Sequence, residues 1–177
     1  MRKFTVKDLT LAAMVAALYA VMSYFGNIFG LSYGPIQFRF SEALCVLPFL
    51  FPAAAPGLFV GCLITNLLSP FGPLDVAVGS LATLIAALWT MNMPNKWLAP
   101  LPPVLCNAVL VGFTIAFAET YVPGTGLSAA FPAAWAYNGL TVGLGELGAC
   151  YALGMLLLYA LPKIKYFRPM IPEAHLT

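Results

Sequence analysis

Long apolar runs, separated by short polar or proline-rich stretches, make up most of the sequence. A bilayer core about 30 Å thick is crossed by roughly 20 apolar residues in a helix, and a helix satisfies its backbone polar groups within one segment. The pattern predicts an all-α membrane protein, a single domain over residues 1–177 built as a bundle of six transmembrane helices. The predicted spans are Leu9–Phe25, Ser41–Phe51, Ala54–Leu68, Leu74–Met91, Pro103–Phe117 and Trp135–Leu161.

The second and third spans are the shortest, and Pro48, Pro52 and Pro56 punctuate them. Proline removes a backbone donor and kinks or ends a helix. We therefore interpret residues 51–56 as a tight turn between two helices. The alternative is one broken hairpin that enters the membrane and returns to the same side.

The basic residues predict the orientation of the chain. With six spans, all but one of them fall on one side of the membrane, which the positive-inside rule makes cytoplasmic. Both termini are therefore expected in the cytoplasm, and only Arg39 is expected on the outer side. The residues on the cytoplasmic side are Arg2, Lys3, Lys7, Lys96, Lys163, Lys165 and Arg168.

Composition excludes several functional classes. Hydrophobic residues make up 62% of the chain and charged residues 8%, whereas soluble domains carry about 25% charged residues. The net charge of +2 argues against nucleic-acid binding. The only histidine, His175, lies in a polar tail away from the four cysteines, so no metal site is expected. No nucleophile–base motif is present, so we expect neither an enzyme with catalytic residues nor a cofactor.

Glu146 is the most informative polar residue, because it falls near the middle of the last predicted span. An ionisable residue at a helix centre costs about 2.5–3.5 kcal/mol on insertion scales and usually faces a cavity or a partner. Asn138 and Trp135 share roughly its helix face. A carboxylate, an amide and an indole along one face suit a flat heteroaromatic ring.

Further candidate ligand contacts lie near the outer ends of the predicted spans, which suggests a pocket open to the outside. Structural alternatives stay open: Glu146 or Glu42 pairs with Arg39, Asp75 is an acid at a helix N-terminus, and Trp135 belongs to an interfacial belt. These further candidates are Asp75, Asn66, Glu119, Arg39, Glu42 and Gln37.

Small residues recur along the first span at Ala12, Ala16 and Ala20. Because apolar helices gain nothing from hydrophobic burial within lipid, close association relies on small residues that let backbones approach. We interpret this stripe as the binding surface for a partner subunit. The alternative is ordinary packing inside the bundle.

Several stretches resemble known transport proteins. Residues 11–19 resemble the first helix of substrate-capture (S) components of energy-coupling-factor (ECF) vitamin transporters. Residues 33–44, 72–75, 79–84 and 98–104 resemble the QueT family in particular. The likeness extends from about Thr5 to Leu161.

The resemblance implies a six-helix bundle that binds a micronutrient at its outer side, with pocket walls from the last three helices and lids from the outer loops. It implies that the alanine stripe contacts a transmembrane scaffold subunit and that two ATPase subunits drive uptake. The QueT family is assigned to queuosine or its 7-deazaguanine precursors. The alternatives are an S component for another vitamin, a self-sufficient small membrane transporter and, from another class, a membrane-embedded enzyme.

Overall fold

The computed structural model describes residues 4–30, 38–69 and 72–175, which form a helical bundle. The predicted all-α class is confirmed, with one addition: a hairpin pairs β1 (Tyr121–Val122) with β2 (Gly126–Leu127). The main helical segments of the described residues are α1 (Val6–Ile28), α2 (Phe40–Leu50), α3 (Ala54–Asn66), α4 (Pro73–Thr90), α5 (Leu101–Thr120) and α6 (Phe131–Lys163).

Four of these segments are long and apolar enough to cross a membrane. Helices α1, α4, α5 and α6 contain 23, 18, 20 and 33 residues. Helix α3 has only 13 residues, and α2 is shorter still. The chain is therefore a multi-helix membrane protein, whereas the count of six spans stays a prediction.

The helix ends lie close to the predicted ones, and the local sequence explains the two earlier starts described next. Helix α1 begins before Leu9 because Thr5 and Asp8 form a capping box: the Thr5 hydroxyl accepts from the Asp8 N–H at 3.3 Å, and the Asp8 carboxylate accepts from the Thr5 N–H at 2.9 Å. Helix α6 begins at Phe131 rather than Trp135, because Pro132 suits the first turn of a helix. The turn between α2 and α3 is tight and covers residues 51–53.

Helices α1 and α3 pack with their backbones in contact. A Cβ atom added to Gly57 would lie 2.3 Å from the carbonyl oxygen of Ala12, and one on Gly61 would lie 2.9 Å from that of Ala16. Only a glycine leaves room for so close an approach. The α1–α3 contact is thus built from small residues on both helices.

This packing places the alanine stripe inside the protein. Ala12, Ala16 and Ala20 are only 7%, 8% and 9% exposed, so they fit the internal-packing alternative rather than a surface for a partner. Ala13 and Ala17, one position further along, lie on the exposed side of α1. Any partner of α1 would meet that side.

The segment before α2 enters the middle of the bundle. The ring of Phe38 lies against Gly148, near the midpoint of α6, where an added Cβ would be 3.0 Å from Phe38 Cε2. Arg39 follows directly and is buried. Arg39 is therefore enclosed by the helices, because the chain has already entered the bundle before α2 begins, and its predicted place on the outer side of the membrane stays a prediction.

Candidate binding site

Glu146 lies close to the midpoint of α6 and is buried. Its Oε1 atom accepts a hydrogen bond from Asn107 Nδ2 of α5 at 2.8 Å. Its Oε2 atom accepts a weaker one from the Cys150 thiol at 3.6 Å. The one acid near the middle of the longest helix therefore points into the bundle and meets α5.

The same amide group also reaches a second buried acid. Asn107 Nδ2 lies 3.4 Å from Glu42 Oε2 of α2, so one nitrogen bridges the carboxylates of Glu42 and Glu146. Glu42 accepts further hydrogen bonds from the Tyr19 hydroxyl of α1 and from the Cys45 thiol, the latter at 3.0 Å. We call this group the central cluster: Tyr19, Glu42, Cys45, Asn107, Glu146 and Cys150.

The central cluster concentrates ionisable groups where the surroundings are apolar. Two acids from different helices meet at one amide, and Arg39 is buried as well. Burying ionisable groups is costly unless they are paired and hydrogen-bonded. Side chains from four helices hydrogen-bond to one another in the cluster, and these hydrogen bonds offset part of this cost.

Two widened helical turns lie beside the central cluster. A π-helical stretch runs from Asn107 to Val111 in α5, and another from Gly148 to Gly154 in α6. Such turns are rare and often occur at functional sites, because they shift side chains off the regular helical period. Asn107 starts the first stretch, and Cys150 lies within the second.

A second buried group, the α3–α4 cluster, contains Cys62, Asn66, Ser69, Asp75 and Thr83. Asn66 Nδ2 donates to the backbone carbonyl of Asp75 at 3.2 Å and contacts Cys62 Sγ at 3.3 Å. The hydroxyls of Ser69 and Thr83 donate to the Asp75 carboxylate and to Cys62 Sγ. Asn66 and Asp75, both predicted site residues, are thus brought together at the end of α3 and the start of α4.

A third group lies where α5 ends and α6 begins. Asn138 Nδ2 donates to Glu119 Oε2 at 2.8 Å. The Trp135 indole N–H donates to the carbonyl of Val109 at 3.0 Å, and the side chain is 38% exposed. Its ring packs edge-on against Phe113, with centroids 5.6 Å apart.

The three residues of the predicted face, Glu146, Asn138 and Trp135, therefore have separate hydrogen-bond partners in this structure. Asn138 and Glu146 are separated by eight residues, which is about 12 Å along a helix axis. Each has its own partner, Glu119 for Asn138 and Asn107 for Glu146. The structure instead brings Glu146 to Glu42, and Gln37 lies outside the described residues.

Sequence reasoning did not single out Asn107, Tyr19, Cys45 or Cys150 as site residues. Asn107 could have been recognised as a candidate, since it is an isolated amide in the apolar run that forms α5. Tyr19 and the two cysteines carried none, because such residues are ordinary in apolar helices. Across residues 4–30, 38–69 and 72–175, no group of three or more His, Cys, Asp and Glu side chains could hold a metal ion.

Comparison with known proteins agrees with this architecture of apolar helices. The family model of the QueT transporter matches residues 9–163. The chain is 41% identical over 85 residues to the queuosine precursor transporter QueT of Lactococcus lactis subsp. cremoris (strain MG1363), an alignment that covers 48% of this chain and 50% of that relative. The match thus spans about half the length of the relative, and no solved structure matches the chain. Because the family model covers most of the sequence, the chain belongs to the QueT transporter family.

Proposed function

We propose that this chain captures queuosine or a 7-deazaguanine precursor of it at the outer side of the membrane, as the substrate-binding subunit of an ATP-driven transporter of the ECF type. Membership of the QueT transporter family supports transport as the activity. The name of the Lactococcus relative supports a queuosine precursor as the cargo. The protein binds its cargo without chemical change.

The observation that carries the proposal is the pair of buried acids bridged by Asn107. A guanine-like ring presents neighbouring N–H groups along one edge, and carboxylates are the strongest acceptors for such donors. In the bound state, N–H groups of the ring would donate to Glu146 in place of the Asn107 amide and the Cys150 thiol, which donate to it now. Asn107 Oδ1 is buried without a hydrogen-bond partner, and it would accept a further N–H group of the ring.

Ligand binding by the purified protein tests this proposal. We expect calorimetric titration to show binding of a 7-deazaguanine base or its nucleoside, and mass spectrometry to find the same compound carried through purification. Guanine is the matched control, since it keeps the same N–H edge but adds an acceptor at N7. Tight binding of an unrelated vitamin, with none of these compounds bound, would contradict the proposal and favour an S component of other specificity.

Energy coupling in this proposal requires a scaffold subunit on the exposed side of α1. An apolar groove of about 370 Å³ opens beside that side, between α1, α2 and α6. Its lining includes Met14, Leu18, Leu157 and Leu161. A groove of this kind suits an apolar helix of a partner.

The neighbouring residues Ala16 and Ala17 give a matched test of the coupling surface. Ala17→Trp, on the exposed side of α1, should abolish uptake by the complete transporter while leaving ligand binding by the isolated chain unchanged. Ala16→Trp should abolish both, because Ala16 is buried against Gly61. Normal uptake by the Ala17→Trp protein, or uptake into liposomes without any ATPase subunit, would favour a self-sufficient transporter.

The proposed orientation puts both termini in the cytoplasm. Cysteines introduced as Arg2→Cys or Thr177→Cys should react with a membrane-impermeant maleimide only after the cells are permeabilised. Ser128→Cys, in the exposed stretch between β2 and α6, is the control and should react in intact cells. Labelling of either terminus in intact cells would refute this orientation.

A further inference from the structure

A polar cavity of about 240 Å³ lies where the α4–α5 loop, α2, α6 and the tail after α6 meet. Its lining includes Asn95, Lys96 and Trp97 of the loop, Phe49 of α2, Tyr159 of α6 and His175 of the tail. None of the described residues that line it is acidic. Glu173, two residues before His175, is exposed and lies outside this lining. The cavity therefore combines one lysine with neutral polar groups, a composition that favours an anion.

Lys96 supplies the positive charge of this cavity. Its Nζ atom lies 5.6 Å from the centroid of the Tyr159 ring, which is within the range of a cation–π contact. The Trp97 ring packs edge-on against the same tyrosine, with centroids 6.4 Å apart. The aromatic face attracts the ammonium group without occupying its N–H donors, of which a lysine has three. Lys96 is thus held at the cavity and can still donate to an anionic oxygen.

Asn95 and His175 add hydrogen-bonding groups to the lining. The Asn95 Oδ1 atom accepts from the Leu98 N–H at 3.0 Å, so its amide nitrogen is the group left to donate to a ligand. The His175 ring stacks on Phe49, with centroids 4.0 Å apart, and its Nδ1 atom donates to the Phe49 carbonyl, which can only accept. The second ring nitrogen, Nε2, can accept from a hydroxyl when the ring is neutral and can donate to an oxygen when it is protonated. Both side chains therefore suit a ligand that carries oxygens and hydroxyls.

The surroundings of the cavity indicate that its ligand comes from the membrane. Trp97 and Tyr159 are 64% and 43% exposed, and tryptophan and tyrosine are enriched where a membrane meets water. Leu156, three residues before Tyr159 and on the same side of α6, is 65% exposed. An exposed apolar side of α6 therefore leads up to the aromatic residues beside Lys96. Acyl chains would pack along that side, with their headgroup at the cavity.

We propose that this cavity binds the headgroup of an anionic phospholipid such as phosphatidylglycerol. Basic pockets between transmembrane helices bind anionic headgroups. Lys96 would donate to the phosphate, while Asn95 and His175 would bond to the hydroxyls of the headgroup. Phosphatidylcholine carries an ammonium group beside its phosphate, which Lys96 repels, so it should bind less tightly. This proposal goes beyond the transport function and does not depend on the identity of the cargo.

Thermal unfolding of the delipidated protein in detergent, without cargo, tests this site. Phosphatidylglycerol and phosphatidylcholine with identical acyl chains are added in equal amounts, so that the two samples differ only in the headgroup. A ligand that binds only the folded state raises the melting temperature as its concentration rises. We expect phosphatidylglycerol to raise it by roughly 3 °C more than phosphatidylcholine. Inorganic phosphate at equal ionic strength should have no such effect, because it has no acyl chain to pack against α6.

Lys96→Gln should remove the preference for phosphatidylglycerol. Native mass spectrometry should show roughly fivefold weaker binding of this lipid to the variant, the contribution of one lysine near a membrane surface. Lys165→Gln, which removes an exposed lysine of the tail, is the matched control because it changes the net charge equally. It should keep the preference. The proposal is overturned if the two lipids act alike, if phosphate alone stabilises the protein as much, or if both variants weaken phosphatidylglycerol binding equally.

Discussion

Glu146→Gln is expected to weaken binding of the proposed 7-deazaguanine ligand by roughly ten- to a hundredfold. Hydrogen bonds to a charged group contribute about 1.5–3 kcal/mol, and about 1.4 kcal/mol corresponds to tenfold in affinity. The amide keeps the size of the side chain but exchanges one acceptor for a donor. That donor would face the N–H groups of the ligand. Calorimetric titration of the purified variant measures the change.

Two controls make this result interpretable. The unfolding temperature of the Glu146→Gln protein shows whether the contact with Asn107 survives, since the remaining Oε1 atom can still accept from the amide. Glu173→Gln should bind the ligand normally. Unchanged affinity in a well-folded Glu146→Gln protein would make Glu146 structural. The carboxylate role would then pass to Asp75 or Glu119, and each is testable by the same substitution.

Gly57→Ala is expected to be the most damaging single-methyl change in the helices. The added Cβ would meet the Ala12 carbonyl oxygen at 2.3 Å and two more backbone atoms of Ala12 at 3.0 Å. Neither helix can relieve this contact by rotating a side chain, so α1 and α3 must move apart. Overpacking of this kind costs about 1–3 kcal/mol, occasionally more. The loss should appear as a lower unfolding temperature in detergent.

Gly143→Ala is the matched control for this change. Its added Cβ would lie 3.3 Å from the Cβ of Ala108, a contact between side chains that needs only a small adjustment. Alanine is also the better helix former, by about 1 kcal/mol in a helix interior. The Gly143→Ala protein should therefore be about as stable as the parent. Equal stability of the two variants would mean that α1 and α3 are not in backbone contact.

Helix positions could be predicted from the sequence because the apolar runs are long and interrupted by proline and polar residues. Glu146 could be singled out for a similar reason, since a lone acid in an apolar helix is conspicuous. Its partners could not be found in this way. Asn107 comes from α5 and Glu42 from α2, and no periodicity within one helix reports which side chains another helix will present.

Two points could not be decided from the sequence, for physical reasons. The pattern of Ala12, Ala16 and Ala20 shows that α1 has a small-residue side, but it cannot show whether that side meets α3 or a separate subunit. Gly57 and Gly61 of α3 settle which helix the alanines meet, because the absence of a side chain at these glycines lets the backbone of α1 approach closely. Likewise, a shared helix face does not show what each side chain contacts: Asn138 and Glu146 lie about 12 Å apart along the axis and bond to different partners.

The shortness of α3 has a consequence for the surrounding lipid. Its 13 residues extend about 20 Å, against a hydrocarbon core of about 30 Å, while Val60 and Ile64 on its outer side are exposed. If α3 spans the membrane as the sequence predicts, the bilayer beside it has to thin locally, at a cost of a fraction of a kcal/mol for each ångström of mismatch. Lipids with short acyl chains should therefore stabilise the protein, and thick bilayers should favour burial of α3 against a neighbouring subunit.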